Sequence, residues 1–231
     1  MLKKRPAQER GYAENDWLKS YHSFSFSSYQ DRNHMRFRSL RVMNEDWISP
    51  NSGFPTHPHD NMEIITYVIS GQLAHKDSMG NVETIQPGEI QCMSAGTGIT
   101  HSEFNPSAEQ TTHLYQIWLL PAEKNIEPSY QQIRYDQAPS GQLTLLASQQ
   151  PRDGAVFINQ DVNLYRAVLE QGDELTFPIQ KQRAVWIQVV KGELKVNGES
   201  LNTSDALAIE NEETLHISTA SNAEFLLFDL N

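Results

Sequence analysis

Short runs rich in Val, Ile, Leu, Tyr and Thr alternate with glycine and proline along the chain. Ile64-Ile65-Thr66-Tyr67-Val68-Ile69 is followed by Gly71, Leu114-Tyr115-Gln116-Ile117-Trp118-Leu119-Leu120 by Pro121, and Val185-Trp186-Ile187-Gln188-Val189-Val190 by Gly192. Runs of strand length, closely spaced with turn residues between them, predict a β sandwich or barrel. No long stretch carries a helical period. A weak repeat sharpens the expectation: Tyr67-Val68-Ile69-Ser70-Gly71-Gln72-Leu73 resembles Gln188-Val189-Val190-Lys191-Gly192-Glu193-Leu194. In both halves a turn, a second strand and a late hydrophobic strand follow, His113 to Leu120 in one and Glu224 to Leu230 in the other. Gly80-Asn81 and Asn197-Gly198 stand where hairpin turns belong, because these residues accept positive φ at low cost. The expected fold is all-β, as two related β barrels (jelly rolls) over residues 1–130 and 131–231. The Gln-, Ser- and Pro-rich segment from Pro121 to Gln150 is the expected crossing.

Composition narrows the function. The 231 residues include 29 acidic and 18 basic side chains, for a net charge of −11. That balance argues against a protein that tracks nucleic-acid phosphates, whose footprint is a basic patch, and against attraction to an anionic membrane. With 9 Phe, 8 Tyr and 4 Trp, the chain is too aromatic to be disordered. Cys92 is the one cysteine, so no internal disulfide can form. The basic start, Lys3-Lys4-Arg5, leads into Pro6-Ala7-Gln8-Glu9-Arg10 and not into an apolar stretch, unlike a secretory signal. No apolar run has the length of a membrane helix. A cytoplasmic globular protein is expected.

The chemistry lies in the histidines. His57-Pro58-His59 follows Gly53-Phe54-Pro55-Thr56, and His101-Ser102-Glu103 follows Ser94-Ala95-Gly96-Thr97-Gly98-Ile99-Thr100. Positions i and i+2 of a strand share a face, so His57 pairs with His59 and His101 with Glu103. Two such pairs on neighbouring strands would bring three imidazoles and a carboxylate together, which suits a divalent transition metal with an open position. Glu63 has the same parity as His57 and His59, and spacing alone leaves it an alternative to Glu103. Asp60 has the opposite parity. The isolated His22, His34, His75 and His113 read as surface or packing residues. Gly96-Thr97-Gly98 lacks the lysine and the spacing of a phosphate loop and reads as a tight turn before His101. Cys92 reads as a small buried hydrophobe with no basic neighbour to activate it. Trp47, Trp118, Trp186 and Phe54 read mainly as core, with Phe54 a candidate for the pocket mouth.

Gly53, His57-Pro58-His59, Glu63 and Gly71 resemble the first cupin motif, and Pro87-Gly88, Gly96, His101 and Asn105 the second. More specifically, Trp17-Leu18-Lys19-Ser20-Tyr21-His22-Ser23-Phe24-Ser25-Phe26, Phe54-Pro55-Thr56-His57-Pro58-His59 and Met93-Ser94-Ala95-Gly96-Thr97-Gly98-Ile99-Thr100-His101-Ser102-Glu103 resemble the pirin family. The likeness continues through Leu114-Tyr115-Gln116-Ile117-Trp118 and is closest to the bacterial pirin-like quercetin 2,3-dioxygenases.

That resemblance implies a bicupin whose N-terminal barrel holds one metal on His57, His59, His101 and Glu103. Glu63 then stands behind the ligands or in the pocket. In the second half, Pro178 and Gln180 fall where the first pair of histidines would lie and His216 alone falls near the second motif, so that barrel is expected to carry no metal site. Iron(II) is the expected metal, with nickel, cobalt, manganese, copper and zinc as alternatives the same ligands accept. The implied activity is dioxygen-dependent opening of a flavonol such as quercetin with release of carbon monoxide. Glu103 is the candidate general base and Glu63 the reserve. A second reading is a metal-bearing pirin without turnover, sensing redox state and regulating through a protein partner. A third gives the site another small enolisable aromatic substrate.

Overall fold

In a computed structural model the chain is almost wholly β, and the structure describes residues 1–135 and 137–231. The first strands are β1 (Leu2–Arg5), β2 (Gly11–Glu14), β3 (Leu18–His22), β4 (Leu40–Ile48), β5 (Ser52–His59), β6 (Glu63–Ser70) and β7 (Leu73–Asp77). Next come β8 (Val82–Ile85), β9 (Glu89–Ser94), β10 (Ile99–Asn105), β11 (Thr112–Leu119), β12 (Ser129–Arg134), β13 (Leu143–Ser148), β14 (Val156–Phe157) and β15 (Val162–Leu169). The last are β16 (Glu174–Pro178), β17 (Ala184–Lys191), β18 (Glu193–Val196), β19 (Glu199–Asn202), β20 (Ala206–Ile209), β21 (Thr214–Ser218) and β22 (Ala223–Leu230). One turn of 3-10 helix, Ala7–Glu9, interrupts them. Among the described residues no helix is long and apolar enough to cross a membrane.

The strands form two compact units that interleave along the sequence. One comprises Gly11–Asp136 with Val156–Gln160; the other comprises Met1–Arg10, Gln137–Ala155 and Asp161–Asn231. In the first, a large sheet ordered β12-β9-β6-β11-β4-β3-β2 is accompanied by a small one ordered β5-β10-β7-β8. In the second, the order β1-β20-β17-β22-β15-β13 is accompanied by β16-β21-β18-β19. The same connectivity therefore occurs twice, with β4 to β11 matching β15 to β22. The sheets are open, in place of the closed barrels expected. Each large sheet ends instead on strands from outside the repeat: β12 pairs with β9, and β1 with β20.

The repeat is visible down to single residues. Gly71 and Gly192 occupy the same corner of the two units with φ of +77° and +81°, where a side chain would be strained. The expected hairpins form at Gly80-Asn81, between β7 and β8, and at Asn197-Gly198, between β18 and β19. The segment from Pro121 to Gln150 is more than a crossing, since it contains β12 and β13. Its polar letters concealed them: Gln131 and Gln132 lie on an edge strand, where polar side chains and hydrogen bonding coexist. Asp136, within that segment, lies outside the described residues.

Alternation along the strands builds the two cores. In the second unit, Val185, Ile187 and Val189 of β17 meet Leu194 and Val196 of β18 and Leu215 and Ile217 of β21 between the sheets. In the first unit, Ile48, Val68 and Leu114 of the large sheet meet Leu73 and Ile85 of the small one. There the apolar filling is local. Further along the same inner face, the strands of the large sheet carry Ser20, His22, Asn44, Asp46, Thr66 and Gln116, all buried. That polar stripe faces the metal-site strands.

Candidate metal centre

β5 and β10 lie side by side at one end of the small sheet, with β5 on its edge. The edge position accommodates Pro55 and Pro58, which have no N–H to give a second neighbour. The register places His101 opposite His57 and Ile99 opposite His59, then shifts so that Glu103 faces Phe54 and Phe104 faces Gly53. One extra residue of β5 is therefore accommodated around Pro55-Thr56, a bulge of the kind that redirects side chains beside a site. Gly53 permits the strands to meet at this point. A Cβ there would lie 2.1 Å from the Glu103 carbonyl oxygen and 2.6 Å from Phe104 Cα. Beyond it, Gly96-Thr97-Gly98 forms the turn expected before β10, closed by the Gly98 amide donating to the Ala95 carbonyl at 2.9 Å and tied down by the Thr97 amide donating to the Ile126 carbonyl at 2.9 Å.

The side chains of His57, His59 and His101 converge so that one ring nitrogen from each lies within 4.8 Å of the others. The His57 ring donates from Nδ1 to the Pro55 carbonyl at 2.8 Å, which leaves the Nε2 lone pair free. That Nε2 stands 3.0 Å from Nε2 of His101. Two imidazole lone pairs at this distance repel each other unless a cation or a proton lies between them. Burial, reinforced by the neighbouring imidazoles, lowers the pKa of His59 to about 4 and of His101 to about 3. Both rings are thus neutral donors at physiological pH, and the set fits a transition-metal ion.

Glu103 belongs to the same cavity but not to that tight cluster. Its carboxylate reaches the facing sheet, where Gln116 Nε2 donates to both oxygens at 2.9 and 3.1 Å and Thr66 Oγ1 donates at 3.4 Å. Behind the histidines, His75 and Asp77 of β7 stand across from Glu103 and His101. His75 Nε2 lies 3.2 Å from Asp77 Oδ2, and its ring centroid lies 5.2 Å from that of His101. The ligand strand is consequently backed by a buried polar pair.

In front of the histidines opens a cavity of about 450 Å³, lined among others by Leu18, Phe26, Phe54, Ile64, Glu103 and Trp118. Trp118 packs edge-on against His59 and Phe26, with centroids 5.0 and 5.4 Å apart. Phe54 is edge-on to Trp17 at 5.0 Å. The size falls within the range of small-molecule sites, which combine apolar walls with a few converging polar groups.

The Pirin family profile matches residues 3–119, and a profile described as a quercetinase C-terminal cupin domain matches residues 145–230. The chain belongs to the pirin family. It is 50% identical over 230 residues to the quercetin 2,3-dioxygenase of Escherichia coli (strain K12), covering 100% of this chain and 99% of that protein. A pirin-like protein of Caulobacter vibrioides is 39% identical, with 99% of each chain covered. Among solved structures, the bacterial pirin YhhW of Escherichia coli in complex with nickel(II) matches with a TM-score of 0.96 at 48% identity, covering 100% of this chain and 99% of that one. The all-β architecture of this pirin is of the cupin type.

Several residues of this pirin stand elsewhere than spacing suggested. Glu63 lies on the opposite face of the large sheet from Ile64 and Thr66 and is not among the cavity-lining residues. It accepts hydrogen bonds from Ser94 Oγ at 2.7 Å and from the Asn159 amide at 3.0 Å, so it ties the segment 156–160 to its own unit. Its shared parity with His57 and His59 was misleading because the Asp60–Met62 turn starts a new strand in a new sheet. His22, expected at the surface or in packing, is buried and lines the cavity, with Nδ1 2.9 Å from Asn44 Oδ1. His34 bonds Asp31 at 2.6 Å, and His113 stacks on Trp47 while bonding Glu45 at 2.9 Å. Cys92 is buried, and burial raises its thiol pKa. In the second unit, Leu175, Phe177, Leu215 and Ile217 turn into the core, while His216 is exposed between the last two.

Proposed function

We propose that this pirin is a metal-dependent dioxygenase that opens a flavonol such as quercetin, consuming one O2 and releasing carbon monoxide. The metal is a divalent transition ion held by His57, His59, His101 and Glu103, with iron(II) the first candidate. The observation that carries the reading is the convergence of three histidines, two of them held neutral by burial, on an apolar cavity of about 450 Å³. The 50% identity to a relative named quercetin 2,3-dioxygenase supports the substrate class, and the nickel(II) complex of a pirin supports a metal at this site. The fold and charge fit a cytoplasmic protein.

A bound ion would supply Lewis acidity that favours the ionised form of a coordinating hydroxyl. The chain's own residues do the rest. Phe26, Phe54, Ile64 and Trp118 hold a flat ring system and keep water from it. Glu103, oriented by the amide fork of Gln116, takes the proton of the substrate's 3-hydroxyl at a carboxylate oxygen, as a general base within reach must. Glu63, across the sheet from the cavity, has no part in this reading. Replacing His101 with alanine tests the proposal. The variant should lose both the metal, measured by elemental analysis, and quercetin turnover. Full metal content with normal turnover would contradict it.

A further inference from the structure

The three histidines stand on β5 and β10 of the small sheet. The opposite wall of the cavity, on β3 and β4 of the large sheet, has a chemistry of its own. Asp46 is buried, lines the cavity and accepts a hydrogen bond from the Ser20 hydroxyl on Oδ1. Oδ2 is not sealed in the interior and opens onto the cavity. A ligand that covers this oxygen has to satisfy it, because a buried acceptor left without a donor is costly. Ser20 sits directly across from Asp46, and Asp46 directly across from Leu114, so Asp46 is diagonal to Gln116, the residue that holds Glu103. Diagonal neighbours on a sheet are about 7–8 Å apart, a span that one fused ring system bridges. No lysine or arginine is among the residues lining this cavity. The wall therefore has no lysine or arginine to pair with an anionic group and suits a neutral hydroxyl.

We propose that Asp46, held in place by Ser20, is the specificity-determining residue that receives a ring hydroxyl of the substrate on the wall opposite the histidine strands. The inference rests on the flavonol reading of the same cavity and names the part of the molecule that reaches this wall. The occupant is a planar aromatic that carries a hydroxyl on its outer ring. Burial pushes the Asp46 carboxyl up to about 7, with the nearby charges of Glu103 and Glu45 adding to it. It can therefore accept from a hydroxyl or donate to one near neutral pH.

The test compares flavonols of three kinds by calorimetric binding to metal-loaded protein kept free of dioxygen, so that no turnover enters the readout. They are quercetin, its outer-ring O-methyl ethers, and galangin, which has no outer-ring hydroxyl. Wild-type protein should prefer quercetin by about tenfold, the worth of one hydrogen bond to a buried polar group. Asp46→Leu should weaken quercetin and leave galangin unchanged, bringing the ratio close to one. A merely structural role would weaken both equally. Equal affinity of the wild type for quercetin and galangin overturns the proposal without any variant, and so does a quercetin preference that survives in Asp46→Leu. Failure of every flavonol to bind also overturns it. If metal-loaded protein shows no turnover while the binding preference holds, the dioxygenase reading fails and the Asp46 subsite stands. Turnover with a flat ratio gives the reverse.

Discussion

Substituting Gly53 with alanine should damage the metal site without touching a ligand. The new Cβ would lie 2.1 Å from the Glu103 carbonyl oxygen, where ordinary contact begins at 3.4 Å. The strands must therefore separate by about 1.3 Å at that point. Neither neighbour is a flexible side-chain end, because both belong to the backbone of β10, held between β5 and β7. Overpacking of this kind costs roughly 1–3 kcal/mol. The displacement also falls beside Glu103, one pair along from it in the register, and an error of about 1 Å in a positioned group can cost roughly a hundredfold in rate. Urea denaturation and a metal titration of Gly53→Ala would measure the two effects. A control is Gly198→Ala, where the φ of +92° strains the backbone but a Cβ would meet nothing within 4 Å. It should lose a little stability and no metal affinity. If Gly53→Ala binds metal and unfolds like the wild type, the close approach of β5 to β10 does not set the site.

Two further outcomes follow from the facing sheet. Gln116→Leu removes the fork that holds both oxygens of Glu103 and should lower metal affinity or turnover by roughly 10–100-fold, read by metal titration beside quercetin turnover; unchanged values would show that Glu103 is held by other contacts. Asp46→Asn should make the protein less sensitive to pH. Burial raises this carboxyl from 3.8 to about 7, so between those values the unfolded chain has released a proton that the folded chain retains. Stability then falls as pH rises through that window, by about 1.4 kcal/mol per pH unit and roughly 4 kcal/mol in all. Relative to wild type, the asparagine variant should gain stability from pH 4 to 7 and hold that gain above it, which denaturation across that range would check. A constant difference would mean that Asp46 titrates normally.

The ligand histidines were legible because β parity is a local property: His57 and His59 share a strand face, and a turn at Gly96-Thr97-Gly98 announces His101. Parity fails across a chain reversal, which is how Glu63 came to look equivalent to them. The polar stripe was illegible for a related reason. Ser20, Asp46 and Gln116 are polar residues of the kind that face solvent, and only the second sheet reveals that they point inward. Hydrophobic alternation and the repeat about Gly71 and Gly192 revealed two related β units. They could not reveal that β1 completes the sheet of the distant unit, because the pairing of Leu2 with Ile209 leaves no mark in the local sequence. The same holds for β12, whose glutamines look like linker.

The most direct measurement is carbon monoxide released per quercetin consumed, in air, by protein stripped of metal and reloaded with iron(II), nickel(II) or copper(II). A flavonol dioxygenase at the three-histidine site predicts one carbon monoxide per flavonol lost with the competent metal, and none from the His57→Ala variant treated in the same way. Tight metal binding with no carbon monoxide under any loading, or equal release from His57→Ala, would contradict it.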